Sequence, residues 1–317
     1  MMIRPRPTIV CGVLLVTAAL SRAQQGTEGQ FADPDFKPAI AKPAYVREHP
    51  VIALDEAHAN FHTVAGRYKP FADLLRADGY RVVPGTEPFT SRSLSNTRVL
   101  VISNAVGTQF KPVDPPSAFT DAECDAVRDW VRSGGSLLLI ADHTPFGATA
   151  AALAERFGVE MGKGYAWTPD PATHEPTFTI AYTHESGLSK DHPITRGVQK
   201  VVAFTGQSLS IPPGGTALLK FVDPSYESLP ATAEADQIAF RTGKPVAARK
   251  ITNRAQAVAF DSGKGRVVMT GEAAMFSAQV IRFTDQGKLV ESKMGMNVPG
   301  NDNQTFLLNI MHWLTRR

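Results

Sequence analysis

Ionisable side chains follow short apolar runs at several places in this chain, and that pattern is where chemistry would sit. Gly134 to Gly147 reads GGSLLLIADHTPFG: a glycine pair, the run Ser136 to Ala141, then Asp142 and His143. The run Val51-Ile52-Ala53-Leu54 leads into Asp55, Glu56, His58 and His62. Val99 to Ile102 leads to Asn104, and Arg266 to Thr270 leads to Glu272. Carboxylates and imidazoles gathered in one cleft are the ingredients of a metal site or of acid–base chemistry. Asp142, His143, Glu56 and Glu272 are the candidate catalytic groups. Asp55, His58 and His143 are the candidate ligands of a divalent metal ion, and Asn104 and His62 are candidate ligand contacts. His58 and His62 stand four apart, a spacing that places two side chains on one helical face. Each residue also has a plainer role: Asp55 and Asp142 can accept backbone amides in the turns that follow them.

For these residues to meet, the apolar runs must be neighbouring parallel strands. A short apolar run bounded by breakers reads as a strand buried on both faces, as in a parallel sheet sandwiched between helices. The residues just past the carboxyl ends of such strands then converge on one edge, where open α/β sheets bind ligands. The intervening segments supply the helices. Val64, Tyr68, Phe71, Leu74 and Leu75 recur at helical spacing up to Gly79, and Thr120 with Glu123 forms a capping box for a helix carrying Cys124, Val127 and Val131. Further helices are expected over 148–157 and 303–314. From about 162 to 245 the chain is rich in Pro, Thr, Gly and Asp, which predicts an irregular β-rich lobe inserted into the α/β domain. Val246 to Ile251 and Ala255 to Phe260 are expected to pair as a hairpin, and Gly263-Lys264-Gly265 to form a turn.

Residues 1–23 combine Arg4 and Arg6, the apolar run Thr8 to Leu20 and the small-residue site Ser21-Arg22-Ala23. That is the pattern of a secretory signal peptide cut after Ala23, followed by a flexible leader over 24–47 and the α/β domain over 48–317. A periplasmic or secreted protein is expected, with no stable membrane insertion once the peptide is removed. The segment carries three arginines and no acid, so the formal net charge of +3 falls to zero without it. A neutral chain with no basic stripe gives no footprint for nucleic acid. Of the two cysteines, Cys124 alone remains after cleavage, so the fold rests on its core rather than on a disulfide. There is no G-x-S-x-G, P-loop, G-x-G-x-x-G after a strand or C-x-x-C, which argues against nucleotide cofactors and the commonest nucleophile motifs.

The runs VISNAVG, FTDAECDAVRDWVRSGGSLLLIADH, DHPITRGV, GKGRVVMTGEAAMFS and NQTFLLNIMHWL together resemble the class I glutamine amidotransferase-like superfamily. Within it they resemble bacterial families of unknown function related to trehalose-utilisation-like proteins. The resemblance covers about 50 to 315 and implies a flavodoxin-like α/β fold. In amidotransferases of this superfamily the strand matching Ser136 to Ala141 runs into a turn that presents a nucleophilic cysteine. Here that turn holds Asp142, His143 and Thr144, while Cys124 lies in the preceding helix, so glutamine hydrolysis is not expected. Two readings follow. One is an exported metal-assisted or acid–base hydrolase acting on a small polar substrate such as a carbohydrate or peptide; the other is a non-catalytic ligand-binding or assembly module that keeps the fold.

Overall fold

The computed structural model describes residues 28–317 apart from 39, 110, 112–113, 230–244, 246 and 286. The expected signal peptide and the first residues of the leader lie outside the described residues. In chain order the strands are β1 (Gly29–Ala32), β2 (Val51–Asp55), β3 (Arg81–Gly85), β4 (Val99–Ser103), β5 (Ser136–Ile140), β6 (Tyr165–Pro169), β7 (Pro176–Thr177), β8 (Ile180–Thr183), β9 (Lys200–Ala203), β10 (Leu209–Ser210), β11 (Thr216–Lys220), β12 (Tyr226–Ser228), β13 (Ala248–Lys250), β14 (Arg254–Ser262), β15 (Gly265–Thr270), β16 (Ala278–Asp285) and β17 (Lys288–Gly295). The helices are α1 (Lys69–Ala77), α2 (Asp121–Arg132), α3 (Phe146–Glu155) and α4 (Asn303–Thr315).

The central sheet is ordered β10-β14-β15-β5-β4-β2-β3, with β11 also paired to β14. From β3 to β15 every neighbour is parallel, and β14 closes the sheet antiparallel. The fold is thus a mixed α/β sheet of flavodoxin-like kind with helices on both faces and smaller antiparallel sheets around it.

Alternation along each strand explains the two-sided burial. Ile52, Leu54, Val99, Val101, Leu138 and Ile140 face one apolar layer with α1 and α4. Ala53, Leu100, Ile102, Leu137 and Leu139 face the other with α2 and α3. Successive side chains of a strand point to opposite faces, so a continuous apolar run is what a strand buried on both sides requires. The run Leu137 to Ile140 is at most 1% exposed, and each such side chain contributes about 2 kcal/mol of burial.

Local details depart from expectation in three places. Within the leader expected to be flexible, β1 pairs antiparallel with β16, because its backbone finds an open strand edge there. Helix α1 starts at Lys69 rather than Val64, because Pro70 occupies its first turn and fits there without losing a needed hydrogen bond. The expected pairing of 246–251 with 255–260 does not form, and Val246 lies outside the described residues. Instead β13 pairs with β12, while β14 turns at Gly263-Lys264 and pairs with β15. A two-residue connection favours that tight hairpin, and the other edge of β14 is taken by β10 and β11. The segment between α3 and β14 also supplies an antiparallel sheet of β13, β12, β6 and β7 and the pair β8 and β9. Another sheet joins β1, β16 and β17.

Candidate functional site at the carboxyl edge of the sheet

The edge residues fall into two clusters. The first lies where the sheet order changes direction, between β2 and β4. Asp55 ends β2 and receives the ring of His58: Nδ1 is 2.9 Å from Oδ1 and 3.0 Å from Oδ2. The other ring nitrogen, Nε2, meets Glu123 Oε1 at 2.9 Å, and Asn60 Nδ2 donates to Asp55 Oδ2 at 3.0 Å. Phe89 and Phe119 flank the imidazole at 4.5 and 4.8 Å. Burial disfavours the charged ring, but the hydrogen bonds and charges of Asp55 and Glu123 outweigh it, and the His58 pKa is raised. Burial likewise opposes ionisation of Glu123, yet His58 and the Thr120 hydroxyl and amide hold that carboxyl down at about 2. His58 is therefore an imidazolium clasped between two carboxylates. Glu123 reaches it because the capping box forms in both directions at the start of α2.

The loop backbone completes this closure. Val106 and Gly107 donate to the His58 carbonyl at 3.2 and 2.9 Å, and the Phe61 amide donates to Asn104 O at 2.9 Å. The crevice at the switch point, where such sheets hold ligands, is filled by the chain's own side chains. Glu56 is similarly occupied, accepting the Val64 amide at 2.7 Å. His62 is buried with Nδ1 at 2.9 Å from Ser103 Oγ and stacks on Tyr68 at 4.3 Å. Its burial, aided by the charge of Arg67, pushes its pKa well down, so the ring is neutral.

The second cluster surrounds the end of β5. Asn104, in a left-handed conformation with φ 48°, accepts the Asp142 amide on Oδ1 at 2.9 Å. Asp142 Oδ1 accepts the His143 amide at 2.8 Å and the Thr205 hydroxyl at 3.3 Å. Gln207 Nε2 donates to the carbonyls of Ala141 and Asp142 at 2.8 and 2.9 Å. The turn is braced from both sides. His143 Nδ1 lies 2.7 Å from the Thr144 carbonyl, which can only accept, so Nδ1 carries a proton and, when the ring is uncharged, Nε2 carries the lone pair. The ring stacks on Tyr165 at 4.5 Å, and Phe146 lies beyond at 6.0 Å. Phe61 continues this aromatic rim 5.6 Å from Phe146.

Glu272, past the end of β15, is fully buried and accepts the amides of Ala274 and Met275 at 2.6 and 2.8 Å. Burial and the negative charge of Asp142 push its pKa well up, against the pull of the backbone amides. Access separates these residues. His143 keeps 6% and Asp142 7% of its surface, whereas Asp55 and Glu272 keep none, so of these four only Asp142 and His143 reach the outside.

The three residues expected as metal ligands do not come together. Asp55 and His58 meet, but His143 belongs to the other cluster, and both nitrogens of His58 are already engaged by carboxylates. No group of three or more His, Cys, Asp or Glu among the described residues could hold a metal ion. Several contributors escaped the sequence reading. Glu123 was visible only as a cap, although one carboxylate has two oxygens to give. Tyr165, Thr205 and Gln207 come from the lobe, and nothing local in their sequence points to β5.

No family model and no curated protein matches the chain. Among solved structures it is similar to the mmIFT52 N-terminal domain, with 17% identity over 84% of this chain and 98% of that one and a TM-score of 0.55. That likeness shows a shared fold. Structural neighbours also include ThuA-like proteins from Bacteroides uniformis, at 14% identity, 86% and 94% coverage and TM-score 0.43, and from Parabacteroides merdae, at 11%, 84% and 90%, and 0.45.

Proposed function

We propose that the aromatic-rimmed mouth over β5 binds a small polar ligand, a carbohydrate or peptide, and that His143 acts on it as the acid–base group. The observation that carries this reading is the fixed tautomer: Nδ1 donates to Thr144 O, which leaves Nε2 as the nitrogen able to accept a proton, the form a general base needs. Asp142 and Glu272 stand behind it, and burial with the negative charge of Asp142 raises the Glu272 pKa well above the usual carboxylate range. The reaction class is hydrolysis by proton transfer. A resident divalent metal does not fit the side chains present, and no step is routed through one.

Kinship with the amidotransferase-like superfamily belongs to the same reading, without its cysteine chemistry. Cys124 is buried in α2, and burial pushes its thiol up to about 11, whereas a nucleophile needs thiolate. Export after cleavage at Ala23 also belongs to it, and intact-mass measurement of protein recovered from the secreting host should give a chain beginning at Gln24.

The test is turnover by the mature chain on glycoside, peptide and ester panels. With a substrate found, His143→Gln should lower kcat by about 10²-fold or more, the usual contribution of a positioned general base; an unchanged kcat would refute the acid–base role. A second reading, a ligand-binding or assembly module without turnover, is favoured by the self-filled switch-point crevice. Its signature is a ligand-induced rise in Tm with no turnover, abolished by Glu272→Ala.

A further inference from the structure

The opposite edge of the sheet carries a concavity that the reading above does not use. A cleft of about 430 Å³ is lined by Pro193, Arg196, Arg266, Asn309, His312, Trp313, Arg316 and Arg317. Arg266 lies at the start of β15, whose far end leads to Glu272, so this cleft and the mouth at His143 are on opposite edges. Four guanidiniums share one concave wall. Among the described side chains their compensating carboxylates are few: Asp261 stands 3.5 Å from Arg266 Nε, and Asp78 is bound to His312 at 2.7 Å.

Arginines beside the end of α4 have an ordinary explanation, since cations favour the carboxyl end of a helix. Here those carbonyls are already served. Leu314 O accepts Ser136 Oγ, Thr315 O accepts Arg98 Nη2, Trp313 O accepts Arg266 Nη1 and the Arg316 amide, and His312 O accepts the Arg317 amide. The remaining donors are surplus to capping. No described residue bonds the Arg196 guanidinium, Arg317 lies over the Tyr45 ring at 5.6 Å without a hydrogen bond to a described residue, and Arg266 Nε is buried without a hydrogen-bond partner. Arg316 spends one nitrogen on the Lys264 carbonyl.

We propose that this cleft is a binding site for a multivalent oxyanion, the phosphate group of a small phosphorylated molecule or a free phosphate. Planar guanidiniums match tetrahedral oxyanions through paired N–H donors, and like charges lining a concave wall focus the field on an anion. The Asn309 side-chain amide nitrogen donates to both Ile194 O and Arg196 O, at 3.0 and 2.9 Å, which fixes the backbone that presents Arg196. Trp313, half-buried in the wall with Arg266 4.8 Å from its ring, holds that guanidinium in place.

The experiment is calorimetric titration of the whole mature chain with inorganic phosphate, pyrophosphate and a phosphorylated sugar, each against sodium chloride at matched ionic strength. Saturable phosphate binding is expected, weakened roughly tenfold by each of Arg196→Gln and Arg317→Gln, the size of one charge-assisted hydrogen bond. Both side chains are exposed, and circular dichroism confirms that the variants fold. His143→Gln should leave phosphate affinity unchanged, which separates this site from the mouth over β5. Tighter binding of the phosphorylated sugar than of phosphate identifies a phosphorylated molecule as the ligand, and the reverse identifies free phosphate. Binding no stronger than chloride, or unaffected by both arginine substitutions, overturns the proposal.

Discussion

At the scale of single residues, the carboxyls of the two clusters, Glu123 and Glu272, titrate in opposite senses. His58 has a raised pKa in the folded chain. Its contribution is complete below the ordinary imidazole value of about 6.5 and is lost as pH rises through the folded value, because the unfolded chain then releases its proton first. Glu123, held at about 2, contributes fully above the ordinary carboxylate range and loses that contribution as pH falls toward 2. The clasp is therefore strongest in mildly acidic solution. His58→Gln should cost about 3 kcal/mol there, since it leaves two carboxylates facing each other without their cation. The penalty should shrink on the alkaline side, as equilibrium urea unfolding across pH would register. Glu272 moves in the same sense as His58 and against Glu123. Its raised pKa means that the folded chain holds a proton the unfolded chain has released, so stability falls as pH climbs from about 4.5 to the folded value. Asp142→Asn removes the neighbouring negative charge while its side-chain oxygen can still accept the His143 amide. That substitution should flatten the fall, and ¹³C shifts of the Glu272 carboxyl should report a lower pKa.

Elements explain why the sheet was readable and the site only partly so. Strand β5 is a continuous apolar run because both of its faces are buried, and β2, β4 and β15 carry the same mark. The capping box of α2 was equally plain, being written in Thr120 and Glu123 alone. Thr120→Ala removes the oxygen that accepts the Glu123 amide at 3.3 Å and should cost about 1 kcal/mol, seen as a fall in Tm of about 2–4 °C. What could not be read depends on partners distant in sequence: the edge that receives β13, the Glu123 oxygen that reaches His58, and Gln207 behind the β5 turn. Gly147 shows that dependence most sharply. A Cβ there would lie 2.2 Å from the Gln207 amide, the group that braces Ala141 and Asp142. Gly147→Ala should therefore destabilise by about 2 kcal/mol through overpacking. It should also shift the His143 imidazole resonances, whereas a purely helical effect of alanine would raise stability and leave His143 still.

For the molecule as a whole, the question is whether the layers on either face of the sheet form one cooperative unit. Each strand of the parallel core contributes alternate side chains to both layers, so loosening α1 or α4 exposes the backs of residues that also support α2 and α3. Ile52 and Leu54 face α1 while Ala53 between them faces α2, and the three are fixed by one ladder to β3 and β4. The two layers should then unfold together. Leu75→Ala in α1 and Leu153→Ala in α3 each empty a fully buried position and should cost about 3 kcal/mol. Hydrogen exchange resolved by mass spectrometry should show either substitution lowering protection by a similar factor in α1, α2, α3 and α4, because exchange of a cooperative unit reports its global free energy. Protection lost only in the layer that carries the substitution would mean that the sheet does not transmit the loss. The β5 turn, whose brace Gln207 belongs to the lobe, would then owe its rigidity to that side alone. In the cooperative case the same measurement places the Asp142–His143 turn among the most protected segments, held by a core that lies on both sides of it.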